Sequence, residues 1–193
     1  MERAEAEVRE KARDYLRTRG TLMPTPVLRE RIGGAFQAVE SFLDTVPAAR
    51  ATARPIPGEW SIQEVVDHLI ETYRPGVDEL RCLLAGQRPP GEPIPASLQS
   101  KAPLLRPWPW LRQELQRLHA DVLAALDGVA PDFETPARAP LVMVFNVPRE
   151  GGGFVPLHWV EDLDWKAYAI VSWRLHAIDH LNQGKKVLAA LSP

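Results

Sequence analysis

Trp173-Arg174-Leu175-His176-Ala177-Ile178-Asp179-His180-Leu181-Asn182-Gln183 is the stretch that decides the fold. Ala169, Ile170, Trp173, Ala177, Leu181, Leu188 and Leu191 recur at helical intervals, so the spacing predicts a helix over 163–191. Residues four apart in a helix lie one above the other. His176 and His180 therefore share a face, at the margin of the apolar stripe. Two imidazoles placed this way bind one divalent ion when a third ligand comes from elsewhere. The candidate is His68, in Trp60-Ser61-Ile62-Gln63-Glu64-Val65-Val66-Asp67-His68-Leu69, also helical in pattern. The chain must then fold to bring two distant helices together.

Its 193 residues are 45% apolar and 25% charged, enough for one globular domain spanning 1–193 with a sizeable core. A formal net charge of −2 gives no electrostatic reason to expect nucleic acid or an anionic membrane as partner. Cys82 is the single cysteine, which excludes an internal disulfide and a thiolate metal cluster. The first residues are charged, no segment is apolar enough to cross a bilayer, and a reducing cytoplasm is the expected compartment.

Outward from the histidines, four long helices emerge. Ahead of them, residues 2–18 read as a surface helix, and 1–22 as an N-terminal extension ended by Gly20 and the prolines at 24 and 26. Helix one runs over 27–46 on Leu28, Ile32, Phe36, Val39, Leu43 and Val46, with Gly33-Gly34 offering a close helix contact. Helix two starts at Ser61, whose spacing to Glu64 is that of a capping box, and extends to Leu84. Pro75-Gly76 predicts a kink or break within it. The proline-rich stretch 87–109 is a crossover loop, long enough to join two parallel helices. Helix three covers 110–129, with Leu111, Leu115, Leu118, Val122 and Leu126 on one face. Between 130 and 162, Leu141–Phe145 and Phe154–Val160 flank Gly151-Gly152-Gly153 and read as a β-hairpin or flap.

Other residues are weighed against duller roles. His119 reads as structural; His158, in the flap, is the better pocket-lining candidate. Trp60, Trp165 and Trp173 read as core anchors, and Trp108 and Trp110 as partly exposed residues sealing a bundle end or a dimer contact. Glu64 and Asp179 are candidates for orienting a ligand or moving a proton, with helix capping and solvated charge as the simpler alternatives. No Glu follows His176, so the zinc-protease helix motif is absent.

The segment Gly58–Leu69, together with His176, His180 and Gln183 in order, resembles the two signatures of the DinB-like (YfiT-like) superfamily, over roughly residues 27–191. The resemblance implies an all-α, up-down-down-up four-helix bundle, here with the extra N-terminal helix and the hairpin before the last helix. It implies a divalent metal, zinc or nickel, held by His68, His176 and His180, and a homodimer. It also implies a small-molecule substrate: members are described as metal-dependent hydrolases, and some as transferases or isomerases using a low-molecular-weight thiol. This chain departs from the pattern in carrying Asp179 where many relatives have Arg or His, in Pro75-Gly76, and in its N-terminal helix. The alternative expectation is a non-catalytic metal-binding or stress-response dimeric bundle.

Overall fold

Ser61 opens the helix around which the others pack. Its hydroxyl accepts the Glu64 N–H at 3.3 Å, and the Glu64 carboxylate accepts the Ser61 N–H at 2.9 Å, closing the expected capping box. The computed structural model describes residues 2–148 and 152–191. Its elements are α1 (Glu2–Leu16), α2 (Thr25–Asp44), α3 (Ala48–Ala51), α4 (Ile62–Leu84), α5 (Trp108–Asp127), β1 (Arg138–Pro148), β2 (Phe154–Asp164), α6 (Trp165–Ala169) and α7 (His176–Ala189). A π-helical segment, Ile170–Leu175, joins α6 to α7; another, Arg17–Thr21, comes directly after α1. The chain is mostly helical with one two-stranded antiparallel sheet, and none of its described helices is long and apolar enough to cross a membrane.

The apolar stripes read from the sequence form one core. Val66, Leu69, Ile70, Val77 and Leu80 of α4 bury together with Ile32, Phe36 and Val39 of α2, Leu111, Leu115 and Val122 of α5, and Ala177 and Val187 of α7. Trp165 and Trp173 are fully buried core anchors, as expected.

Several expectations are corrected. The chain stays helical through Pro75, so the helix does not break there. Proline inside a helix costs about 3 kcal/mol, whereas Val77, Leu80 and Leu83 beyond it each contribute about 1.5–3 kcal/mol by remaining buried. Burial outweighs the lost hydrogen bond. The last helix begins at Trp165 rather than 163, because Leu163 and Asp164 still pair in the sheet and the Asp164 carboxylate caps the N–H groups of Lys166 and Ala167 at 3.0 Å. Helix three begins at Trp108, since Pro109 fits the first turn of a helix. Trp108 is thereby 7% exposed and part of the core, while Trp110 stays 39% exposed.

Gly33 and Gly34 are not the close contact. A Cβ on Gly33 would meet Leu123 at an ordinary 3.7 Å, and on Gly34 nothing within 4 Å. The tight approaches are at Gly20, where a Cβ would lie 2.9 Å from the Ala167 Cα, and at Gly184, where it would lie 2.8 Å from the Phe42 ring. The hairpin is longer than its apolar runs suggested, pairing Arg138 with Asp164 at one end and Pro148 with Phe154 at the other. In a two-stranded sheet each strand is an edge, so Pro140 and Pro156 are tolerated. Of the three glycines at its tip, Gly151 lies outside the described residues; Gly152 and Gly153 take positive φ, 98° and 84°.

Candidate metal centre

α4 carries His68 to a position 1% exposed in the core. α7 opens with His176 and carries His180 one turn later, both half-buried. One ligating atom from each of the three residues lies within 4.8 Å of the others. The rings sit 5.0 Å (His68–His176), 4.7 Å (His68–His180) and 4.6 Å (His176–His180) apart, centroid to centroid. The π-helical turn just before His176 matters here. Counting about 100° per residue assumes an unbroken α-helix; a π segment carries an extra residue and rotates the helix beyond it. It therefore offsets the stripe before it from the stripe after it, while both rings stay half-buried at the margin of α7's own stripe, as expected, and still meet His68.

Each ring has an outward anchor. His68 Nδ1 lies 2.6 Å from the Leu98 carbonyl, which can only accept, so Nδ1 carries the hydrogen. The Ser172 backbone hydrogen-bonds His176. His180 Nδ1 lies 2.8 Å from Gln183 Oε1, the residue whose three-step spacing stood out in the sequence. The His68 tautomer leaves a bare Nε2 aimed at His176 Nε2 across 2.9 Å. At this range the two nitrogens either share one hydrogen or, both bare, ligate one ion, and a second partner on the far nitrogen is how metal-binding histidines are usually oriented. The donor set therefore fits a divalent ion: imidazole suits zinc, nickel, copper and iron, and three protein ligands leave a coordination position open.

The electrostatics agree. Burial holds His68 below its ordinary pKa, with the Leu98 hydrogen bond and the Asp67 charge opposing. Burial pushes His180 down to about 4. His176 falls well below its ordinary value through burial and through the other two rings. All three are neutral at physiological pH, the form that ligates.

The remaining candidates fall elsewhere. The Glu64 carboxylate accepts from Ser61 and from Arg54 Nε at 2.8 Å. Burial raises that carboxyl, but the Arg54 and Ser61 hydrogen bonds overcome it and hold the pKa low. Asp179 is exposed on α7, its carboxyl pushed up by desolvation. His119 is 2% exposed and structural, with Nδ1 2.6 Å from Glu40 Oε1 and its ring stacked on Phe36 at 3.8 Å. His158 is exposed on β2, outside the cluster.

Three residues of the site were not legible as such. Trp60, expected in the core, instead walls the site: it is half-buried, 5.0 Å from the His68 ring and stacked at 6.1 Å on His180. Its place just before the capping box was the available signal. Tyr73 stands edge-on to His176 at 5.8 Å. The Leu98 carbonyl had no signal at all, because any residue supplies one.

A family model of the DinB superfamily matches residues 32–161, a span that holds His68 and its loop and ends before the helix of His176 and His180. No curated protein and no solved structure matches the chain.

Proposed function

The chain belongs to the DinB superfamily, and from that premise we propose that His68, His176 and His180 hold one divalent metal ion, zinc or nickel, in an enzyme acting on a small molecule. The chemistry is that of a metal-dependent hydrolase or a small-thiol S-transferase. The observation that carries the reading is the convergence of three neutral imidazoles within 4.8 Å, from two helices far apart in the chain.

Bound there, the ion would supply Lewis acidity to a water or thiol completing its coordination. The chain's own part is to aim and protect. Leu98, Ser172 and Gln183 hold the far sides of the rings. Trp60 and Tyr73 limit access of water from two sides. Of the two candidate carboxylates, Asp179 is the better proton carrier, because desolvation raises its pKa while Arg54 holds that of Glu64 down. The same reading takes the long helices as an up-down-down-up bundle, residues 1–193 as one domain, a low-molecular-weight thiol as co-substrate, and the working unit as a homodimer.

Elemental analysis of purified protein tests the site. About one ion per chain is expected, lost in His176→Ala. Stoichiometric metal retained in that variant would remove His176 from the ligand set. Metal-loaded protein given an electrophile with and without a small thiol then separates the two chemistries: thiol consumption marks a transferase, and thiol-independent turnover marks a hydrolase.

A further inference from the structure

The connection between α4 and α5 has little regular structure, yet it is clipped to α4 around His68. Asp67 is 0% exposed and receives the Ser100 N–H at 2.8 Å on one oxygen and the Ser100 hydroxyl at 2.7 Å on the other. Arg106 approaches the same carboxylate at 3.3 Å. Gln99 Nε2 donates to the Glu64 carbonyl at 3.1 Å, and Gln63 Nε2 to the carbonyls of Pro103 and Arg106 at 3.0 Å each. Two residues before Ser100, the Leu98 carbonyl meets His68 Nδ1 at 2.6 Å.

We propose that Asp67 is a positioning residue: by clamping Ser100 it holds the Leu98 carbonyl against His68 and so sets which His68 nitrogen faces the other two rings. The inference rests on the metal reading for its consequence, though its first effect is seen without metal. A neutral imidazole carries its hydrogen on either nitrogen. Only a fixed acceptor beside Nδ1 keeps Nε2 bare and turned toward His176, and the proline-rich loop gives Leu98 a single backbone bond of its own, from its N–H to the Pro95 carbonyl at 3.1 Å. Asp67 reaches the loop and His68 reaches across it because adjacent helical residues point about 100° apart. The carboxylate thus acts through the loop, beside the direct pull of its charge on the ring. Its two oxygens take both Ser100 donors and face Arg106; an amide has one acceptor, so it would keep the pairing only with the Ser100 hydroxyl turned round to accept, and it would lose the charge facing Arg106.

The test compares wild type, Asp67→Asn and Ser100→Ala by the ¹⁵N shifts of the His68 ring in metal-free protein, and by zinc affinity in competition with a chromophoric chelator. Wild type is expected to hold His68 in the Nδ1–H form. Both variants are expected to show mixed tautomers and zinc binding weaker by about tenfold. Ser100→Ala removes the hydroxyl half of the clamp and keeps the N–H half, every charge and all of α4, so it carries the test if Asp67→Asn fails to fold, and it separates positioning from any direct effect of the Asp67 charge. A folded variant with His68 still wholly Nδ1–H and zinc affinity within about twofold of wild type would overturn the proposal. Tautomer shifts in a protein whose wild type binds no zinc would uphold the clamp and sink the metal reading instead.

Discussion

His119 shares with the three site histidines a pKa held below its ordinary value, with burial as the main cause. That direction sets the sign of the pH dependence. The unfolded chain takes up protons near pH 6.5 while the folded chain resists until lower pH, so the stability these groups contribute is present above about pH 6.5 and lost as pH falls through the folded values. For His180 the loss extends down to about pH 4. Glu79 and Asp179, whose pKa values burial raises, run the other way and offset part of it. Urea unfolding of metal-free protein between pH 7 and pH 4 is expected to show a falling midpoint, and a flat profile would contradict the buried neutral rings. Tyr73 supplies a second prediction. It is 1% exposed, and its hydroxyl finds no hydrogen-bond partner among the described residues. An unpaired buried hydroxyl costs about 1–3 kcal/mol. Tyr73→Phe is therefore expected to leave stability unchanged or raise it by up to about 1 kcal/mol in chemical denaturation, whereas a loss above that would show that the hydroxyl is satisfied in solution.

The helices meet most tightly where one of them lacks a side chain. Gly184 comes after Gln183 on α7 and faces Phe42 of α2, whose ring lies 2.8 Å from where a Cβ would stand. Alanine gains about 1 kcal/mol of helix propensity over glycine, but overpacking a filled interface costs about 1–3 kcal/mol. Gly184→Ala is expected to lower the thermal midpoint, and because α7 must shift it should also weaken metal binding through His180. A midpoint raised by the substitution would mean that the Phe42 ring moves aside freely. Gly20 plays the same part for the N-terminal extension, whose π-helical turn sits against the backbone of Ala167. Ion pairs such as Arg13–Glu161 at 3.0 Å fasten α1 to the hairpin, but the Arg13 side chain is 59% exposed, so packing does more than charge to seat it. The hairpin buries Leu141 and Met143 and leaves Val144 and Val160 44% and 55% exposed, the alternation expected of a sheet covered on one face.

A metal held by the three histidines would join distant parts of this chain energetically. An ion that binds the folded state alone adds about 2.7 kcal/mol at a free concentration one hundred times its dissociation constant. Zinc is therefore expected to raise the melting temperature of wild type, a chelator to reverse it, and His176→Ala to abolish the response; a melting point indifferent to zinc would count against the site. Much of this was legible in the residues. The stripes of α2, α4 and α5, the Ser61–Glu64 cap and the pairing of His176 with His180 are local patterns, and local geometry alone dictates them. Continuity through Pro75 was not legible, because it depends on how much apolar surface lies beyond the proline. Nor was the placing of Trp60 beside the rings. The tautomer of His68 hangs on the backbone carbonyl of Leu98, far along the chain, and a carbonyl has no letter in the sequence. Periodicity tells which face of a helix is apolar; which atoms finally touch is settled by packing between segments remote in the chain, where many weak contacts compete and their sum prevails.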